Sequence, residues 1–190
     1  MTQAPDAPGY RSRSSAQLLT EYEANQLRAR ALVQACTRAQ LNWRDSGAWG
    51  VADCLDHMAR SNTLVGRAIT AAIAAPRQYG KGLRAPRWLS NWLIRLTEPP
   101  PRWRVRAPRP LIPDPREWGE DILDAYVESH EHLVAAIRTS SSADLERISF
   151  RHPALPLRLT ILAGLRQMAA HDRRHLWQAE RVTQSPHFPR

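Results

Sequence analysis

Apolar residues recur every three or four positions in four long stretches of the chain, a spacing that predicts amphipathic helices. The first predicted helix covers about residues 14–40, and the second begins near Gly50 and ends before Pro76. The third begins at Asp114 as N-cap and ends at the polar run 139–142, and the fourth covers about residues 157–182. No stretch shows a convincing alternating strand pattern. The pattern predicts an all-α four-helix bundle.

A long segment that cannot continue a regular helix separates the second and third predicted helices. Residues 76–113 hold eight of the 15 prolines together with Trp88, Trp92 and Trp103. Because proline ends helices, we expect a crossover insertion with one short helix near residues 88–96 and its tryptophans packed on the bundle as an ordered cover. The predicted organisation is a flexible tail over 1–13, the bundle over 14–183 and a C-terminal tail over 184–190.

The positive charge is concentrated in the same segment. The 190-residue chain has a formal net charge of +9, and from Arg77 to Arg109 there are nine basic residues and only one acid, Glu98. The remainder of the chain is therefore nearly neutral. Arginines interleaved with tryptophans are also typical of single-strand nucleic-acid binding, which we keep as a less favoured alternative.

Cysteine usage and the lack of targeting signals favour a soluble cytoplasmic protein. Cys36 and Cys54 have no metal-binding or disulfide spacing, so we expect small buried thiols in a reducing compartment. No basic and apolar leader and no membrane-spanning stretch is present in the sequence.

Three histidines are candidates for a metal site. His171 and His175 are spaced i and i+4 in the fourth helix, so their rings stack on one face and can hold one divalent ion. His57, in the second helix, would add a third imidazole and leave a fourth position open, as in catalytic zinc-type sites. The residues alone leave open the alternative of surface histidines on the fourth helix and a structural His57.

The other histidines and the common catalytic motifs add no second candidate. His130 and His132 lie on different sides of a helix, and His152 and His187 are predicted to be structural or solvent-facing. The residue after His171 is Asp172 and not the glutamate of a zinc protease. Serine-hydrolase, phosphate-binding-loop and dinucleotide motifs are absent from the sequence.

The order of these motifs resembles the DinB-like superfamily. The resemblance rests on Trp49 to His57, on His152-Pro153 and on Ala170 to Gln178, and it spans residues 14–183. It implies a four-helix bundle in which His57, His171 and His175 bind a divalent metal, most often zinc or nickel. Members include thiol S-transferases that use low-molecular-weight thiols and metal-dependent hydrolases, and dimers are common among them.

The expected function is that of a metal-dependent enzyme acting on a small molecule. The basic crossover would favour an anionic substrate. The alternative is a non-catalytic metal-binding bundle that acts as an interaction protein. No residue is assigned a catalytic role. Four side chains are candidates to orient the imidazoles: Asp53, Asp56, Asp172 and Gln178.

Overall fold

A computed structural model describes residues 15–75, 84–101 and 106–190. Its helices are α1 (Ser15–Gln34), α2 (Arg38–Asn42), α3 (Val51–Ala74), α4 (Arg87–Thr97), a 3-10 turn (Arg109–Leu111), α5 (Asp121–Ser129), α6 (Glu131–Thr139), α7 (Ser142–Arg147) and α8 (Ile161–Thr183). Two short strands, β1 (Ser149–Arg151) and β2 (Arg158–Thr160), pair antiparallel, with Ser149 opposite Thr160. The described chain is mostly helical.

Four rods form the bundle: α1, α3, α8 and the consecutive pair α5–α6. Helix α3 packs against α5, α6 and α8, and α1 packs against α8, α5 and α6. The predicted helical bundle is confirmed. The predicted crossover lies only partly within the described residues, because 76–83 and 102–105 fall outside them.

The first and third helices differ from their predicted bounds. Helix α1 ends at Gln34, and the capping box of Thr37 and Gln40 starts a separate helix, α2. The third rod begins at Asp121 and not at Asp114, because the backbone N–H of Asp114 donates to the carboxylate of Asp56 (2.6 Å). A tertiary contact therefore replaces the predicted N-cap.

The fourth helix is preceded by a β-hairpin that the apolar pattern does not reveal. Helix α8 begins at Ile161, where the Thr160 hydroxyl accepts a hydrogen bond from the backbone N–H of Ala163 (3.0 Å). The expectation of no strands is wrong for β1 and β2, because strands of three residues are too short to show an alternation. Gly164 lets the ring of Phe150 pack on α8, since a Cβ there would lie 2.5 Å from that ring.

The core of the bundle is divided into two apolar clusters by a buried polar layer. One cluster, the hairpin-end core, includes Leu18, Ile69, Leu133, Phe150 and Leu165. The other, the α2-end core, includes Leu32, Leu55, Ile122, Tyr126 and Leu176. Between them lie buried polar side chains from all four rods, namely Asn25, His57, Ser61, Asn62, Ser129, His130, Asp172 and His175.

Helix α4 packs on α8 without burying its tryptophans. Ser90 and Ile94 are its buried residues, whereas Trp88 and Trp92 are 70% and 49% exposed. The short helix predicted in the crossover is confirmed. The expectation that its tryptophans pack on the bundle is wrong for Trp88 and Trp92, and Trp103 lies outside the described residues.

The C-terminal segment 184–190 lies against the connection between α2 and α3. The Phe188 ring packs edge-on against Trp43, with centroids 5.5 Å apart, and the Ser185 hydroxyl donates to the Asp45 carboxylate (3.0 Å). No helix in the described ranges is both long and apolar enough to cross a bilayer.

The start of α3 is fixed by a carboxylate cap and a close backbone approach. Asp53 accepts hydrogen bonds from the Gly50 N–H (2.9 Å) and from the Arg44 guanidinium (2.6 Å to each oxygen). Any side chain at position 50 would collide with the backbone carbonyl of Trp43. These contacts fix where α3 begins, two turns before His57.

We expect Gly50→Ala to lower the free energy of unfolding by about 1–3 kcal/mol, because the backbone of Trp43 must move to admit a methyl group. Urea denaturation would measure this loss. The matched control is Gly119→Ala, where the nearest atom to a Cβ is the end of the Asp121 side chain at 3.2 Å. Equal stability of the two variants would contradict the close approach.

Candidate metal centre

Three histidines from two antiparallel helices converge in the polar layer. His57 lies on α3, and His171 and His175 lie one turn apart on α8. One ring nitrogen from each lies within 4.8 Å of the other two, and the Nε2 atoms of His57 and His171 are 3.2 Å apart. His57 and His175 are buried, while the His171 side chain is 16% exposed. The structure therefore brings together the three residues predicted as ligands.

Carbonyl oxygens fix the tautomers of two of these rings. The Nδ1 of His57 lies 2.7 Å from the backbone oxygen of Leu111, and the Nδ1 of His175 lies 3.1 Å from Oε1 of Gln178. Because these oxygens can only accept, each Nδ1 carries the proton. The Nε2 of each neutral ring therefore presents a lone pair toward the cluster.

This arrangement fits a divalent cation. Bond lengths of about 2.0–2.1 Å around a tetrahedral ion separate neighbouring nitrogen ligands by roughly 3.3 Å, close to the 3.2 Å between the Nε2 atoms of His57 and His171. Facing lone pairs repel unless a proton or a cation lies between them. Three imidazoles with one open position are also the ligand set of a catalytic zinc site.

Burial keeps two of the rings neutral, as metal ligation requires. Burial, together with a smaller effect of the neighbouring His171, lowers the pKa of His57 to about 4. Burial also holds the pKa of His175 well below its usual value, with smaller effects from His171 and His57. Protons therefore do not compete for these nitrogens near pH 7.

A buried carboxylate lies directly beside the cluster. Asp172 is fully buried and accepts hydrogen bonds from His130 Nε2 (2.7 Å), Tyr126 Oη (3.1 Å) and Asn62 Nδ2 (3.1 Å). Its Oδ1 lies 3.8 Å from Nδ1 of His171. Burial alone would raise the pKa of Asp172, but His130 and His171 together hold it below its usual value.

Asp172 pairs with histidines and with no arginine or lysine among the described residues. Gln26 Nε2 lies 2.8 Å from Nδ1 of His130, while the Nε2 of the same ring meets Asp172. A buried anion next to a cluster of three imidazoles is an environment that favours a cation.

An aromatic ring packs against the cluster, and an arginine between the two α8 histidines binds neighbouring elements. The Trp49 ring lies 4.8 Å from the His57 ring and 6.0 Å from the His175 ring, measured between centroids. Arg173 binds the carboxylates of Glu98, just after α4, and of Glu21 on α1. Between the two histidines of α8, Asp172 thus points into the bundle. Arg173 points toward α4 and holds it in place.

Of the four residues predicted to orient the imidazoles, two lie next to a histidine of the cluster and two do not. Gln178 contacts His175, and Asp172 approaches His171, as predicted. The prediction is wrong for Asp53 and Asp56. Asp53 caps α3 and pairs with Arg44, while Asp56 pairs with Arg60 (2.9 Å) and accepts from the backbone of Asp114.

Several groups of the site are not apparent in the sequence. The Leu111 carbonyl that orients His57 is a backbone group in a Pro-rich segment, so no residue type signals it. His130 is buried in the Asp172 network, whereas His132 is exposed. An isolated polar residue within the apolar stripe of the third rod was the only signal for His130.

Comparisons with known proteins agree with this architecture. A family model described as the DinB superfamily matches residues 21–179. In structure the chain is similar to YfiT from Bacillus subtilis, described as a probable metal-dependent hydrolase with an unusual four-helix bundle topology. The two share 16% identity with a TM-score of 0.62, over 96% of this chain and 93% of that chain. No curated protein matches the sequence.

We expect metal-free protein to lose stability as the pH falls from about 6.5 to about 4. Unfolded histidine takes up a proton near pH 6.5, whereas folded His57 does so only near pH 4. The contribution is therefore complete above pH 6.5 and is lost below it, by about 3 kcal/mol at pH 4. Urea denaturation in EDTA at several pH values measures the slope.

His57→Gln should flatten this pH dependence, whereas His132→Gln, at an exposed histidine, should not change it. An unchanged slope in His57→Gln would contradict the neutral buried state of His57.

Proposed function

Because this chain belongs to the DinB superfamily and three of its histidines converge in one cluster, we propose that it is a metal-dependent enzyme whose divalent ion is held by His57, His171 and His175. The observation that carries the proposal is the pair of Nε2 lone pairs that Leu111 and Gln178 direct into the cluster. Neutral imidazole suits zinc and nickel, and these are the metals we propose.

The chain's own residues would prepare the site for chemistry. When bound, such an ion polarises a substrate oxygen and acidifies a water or thiol at its open position. Leu111, Gln178 and Asp172 hold the rings in orientation, and the negative charge of Asp172 offsets part of the added positive charge. Trp49 covers His57 and His175 and limits the access of water to those two rings.

Hydrolysis is the reaction we favour. YfiT, which has the same fold, is described as a probable metal-dependent hydrolase, and this description supports the choice. Transfer to a low-molecular-weight thiol is the second candidate, because the same ligand set stabilises a thiolate. Exposed arginines near α4, including Arg84, Arg87 and Arg95, favour an anionic small molecule.

Two other functions make different predictions. A non-catalytic metal-binding bundle would bind the ion but turn over no ester, amide or thiol substrate in a broad screen. A nucleic-acid-binding role is favoured only by the exposed Trp88 and Trp92 beside those arginines. It requires salt-dependent binding to mixed oligonucleotides at low ionic strength.

The wild-type protein should bind one equivalent of zinc or nickel, and His57→Ala, His171→Ala and His175→Ala should each lose most of it, because each removes one of three ligands. Elemental analysis after dialysis against limiting metal measures the stoichiometry. His187→Ala, which removes an exposed histidine at the C-terminus, is the matched control. Full metal content in all three ligand variants would exclude the site.

Asp172→Asn should weaken metal affinity by about 10–100-fold, the usual cost of losing a carboxylate behind a histidine ligand. Competition with a chromogenic chelator measures the affinity. Asp53→Asn is matched in burial and lies on α3, but it contacts no imidazole, so it should lower stability and leave affinity unchanged. Equal affinities of the two variants would show that Asp172 does not act on the site.

A further inference from the structure

The outward face of helix α4 is apolar at its centre. Trp88 and Trp92 are exposed one turn apart, on the side of the helix opposite its buried residues, Ser90 and Ile94. Surface helices usually turn polar side chains to solvent, so α4 has the reverse arrangement. Single exposed apolar residues are common, but two neighbouring tryptophans form a continuous apolar surface, which indicates an interaction site.

Arginines flank this tryptophan face. Arg87 and Arg95 are exposed toward the two ends of the tryptophan pair. Glu98 is the one acid in the described stretch 84–101, and the Arg173 guanidinium binds its carboxylate (3.0 Å). The tryptophan face is therefore apolar at its centre and positively charged at its rim, a combination that fits an anionic partner.

Helix α4 is fixed to the bundle, so the tryptophan face has a defined direction. The guanidinium of Arg174 donates to the backbone oxygen of Leu96 (3.3 Å), and Arg173 binds Glu98 just after the helix. Both arginines belong to α8. A partner on the tryptophan face would therefore bind the whole folded chain through a rigid surface, without the cost of ordering a mobile helix.

A second copy of the chain fits this face poorly. The two exposed rings offer at most roughly 300 Å² of surface, whereas a stable protein interface buries about 800 Å² on each partner. In a symmetric dimer each patch meets its own copy. Arg87 and Arg95 would then face the same arginines of the other copy, and like charges would repel.

A lipid surface fits the shape of the face better than a nucleic-acid strand. Single-strand sites combine a positively charged groove with rings on which bases stack, whereas α4 presents the convex side of one helix of 11 residues. Leu89 and Leu96 are half-buried along one edge of the tryptophan pair. Tryptophan and leucine on the apolar side with arginine beside them are typical of helices that lie in a membrane interface.

We propose that the tryptophan face of α4 binds the surface of an anionic lipid bilayer. The rings of Trp88 and Trp92 enter the boundary between headgroups and acyl chains, where tryptophan is favoured. Arg87 and Arg95 meet the lipid phosphates. The inference goes beyond the proposed function and does not depend on the histidine cluster.

The test is co-sedimentation of the full-length protein with sucrose-loaded phosphatidylcholine vesicles, with and without phosphatidylglycerol. The protein should sediment with the anionic vesicles, less so as the salt concentration rises, and hardly at all with phosphatidylcholine alone. Brominated lipids should quench its tryptophan fluorescence. Soluble glycerol phosphate should not release it, because a single anion offers no apolar boundary for the rings.

The double variant Trp88→Ala/Trp92→Ala should lower the partition coefficient at least tenfold and lose the quenching by brominated lipid. Arg87→Gln should lower the coefficient about fivefold. Leu27→Ala, at an exposed leucine of α1, and Arg138→Gln, at an exposed arginine of α6, are the matched controls and should bind like wild type. Because all these side chains are exposed, urea midpoints should stay unchanged.

Equal binding by wild type and the tryptophan double variant, or no binding to anionic vesicles, would overturn the proposal. Oligonucleotide binding without vesicle binding would assign the face to nucleic acid, and a dimer abolished by the double variant would assign it to a second copy. Release by glycerol phosphate would reduce it to a site for small anions. Metal removal with EDTA should leave vesicle binding unchanged, which separates this inference from the proposed metal site.

Discussion

The buried carboxylate of Asp172 is the constraint on which the middle of this bundle depends. Moving such an ion out of water costs several kcal/mol unless hydrogen bonds replace its hydration. Its donors come from α3 through Asn62, from α5 through Tyr126 and from the junction of α5 and α6 through His130. Helix α1 supports His130 through Gln26. All four rods must therefore be aligned before the charge can be buried.

This requirement fixes the register of the four rods along the axis of the bundle. Two apolar cores could tolerate a shift of one helix along its neighbour, because apolar contacts are not directional. A polar layer between them cannot, since a shift would leave Asp172 without donors. The same alignment brings His57 on α3 opposite His171 and His175 on α8. The geometry of the candidate site is thus a consequence of the polar layer.

The helical stripes and the i, i+4 histidine pair could be predicted from sequence because both depend on local periodicity. The polar layer could not, since Asn25, Asn62 and His130 appear as single polar residues within apolar stripes. The N-cap predicted at Asp114 failed because a tertiary acceptor, Asp56, takes its N–H. Local sequence patterns predict the helices and the candidate ligands. Long-range contacts decide which carboxylates lie beside the histidines.

The described part of the charged segment between α3 and α5 contacts both helices that carry the candidate ligands. Arg173, within the histidine motif of α8, holds Glu98 beside α4, and the carbonyl of Leu111 orients His57. The second contact uses a backbone atom, so no side-chain substitution at Leu111 can remove it directly. The orientation of His57 depends on the path of the backbone through residues 106–113. Prolines restrict that path because they fix φ. The proline content of this part of the segment is therefore tied to the orientation of His57.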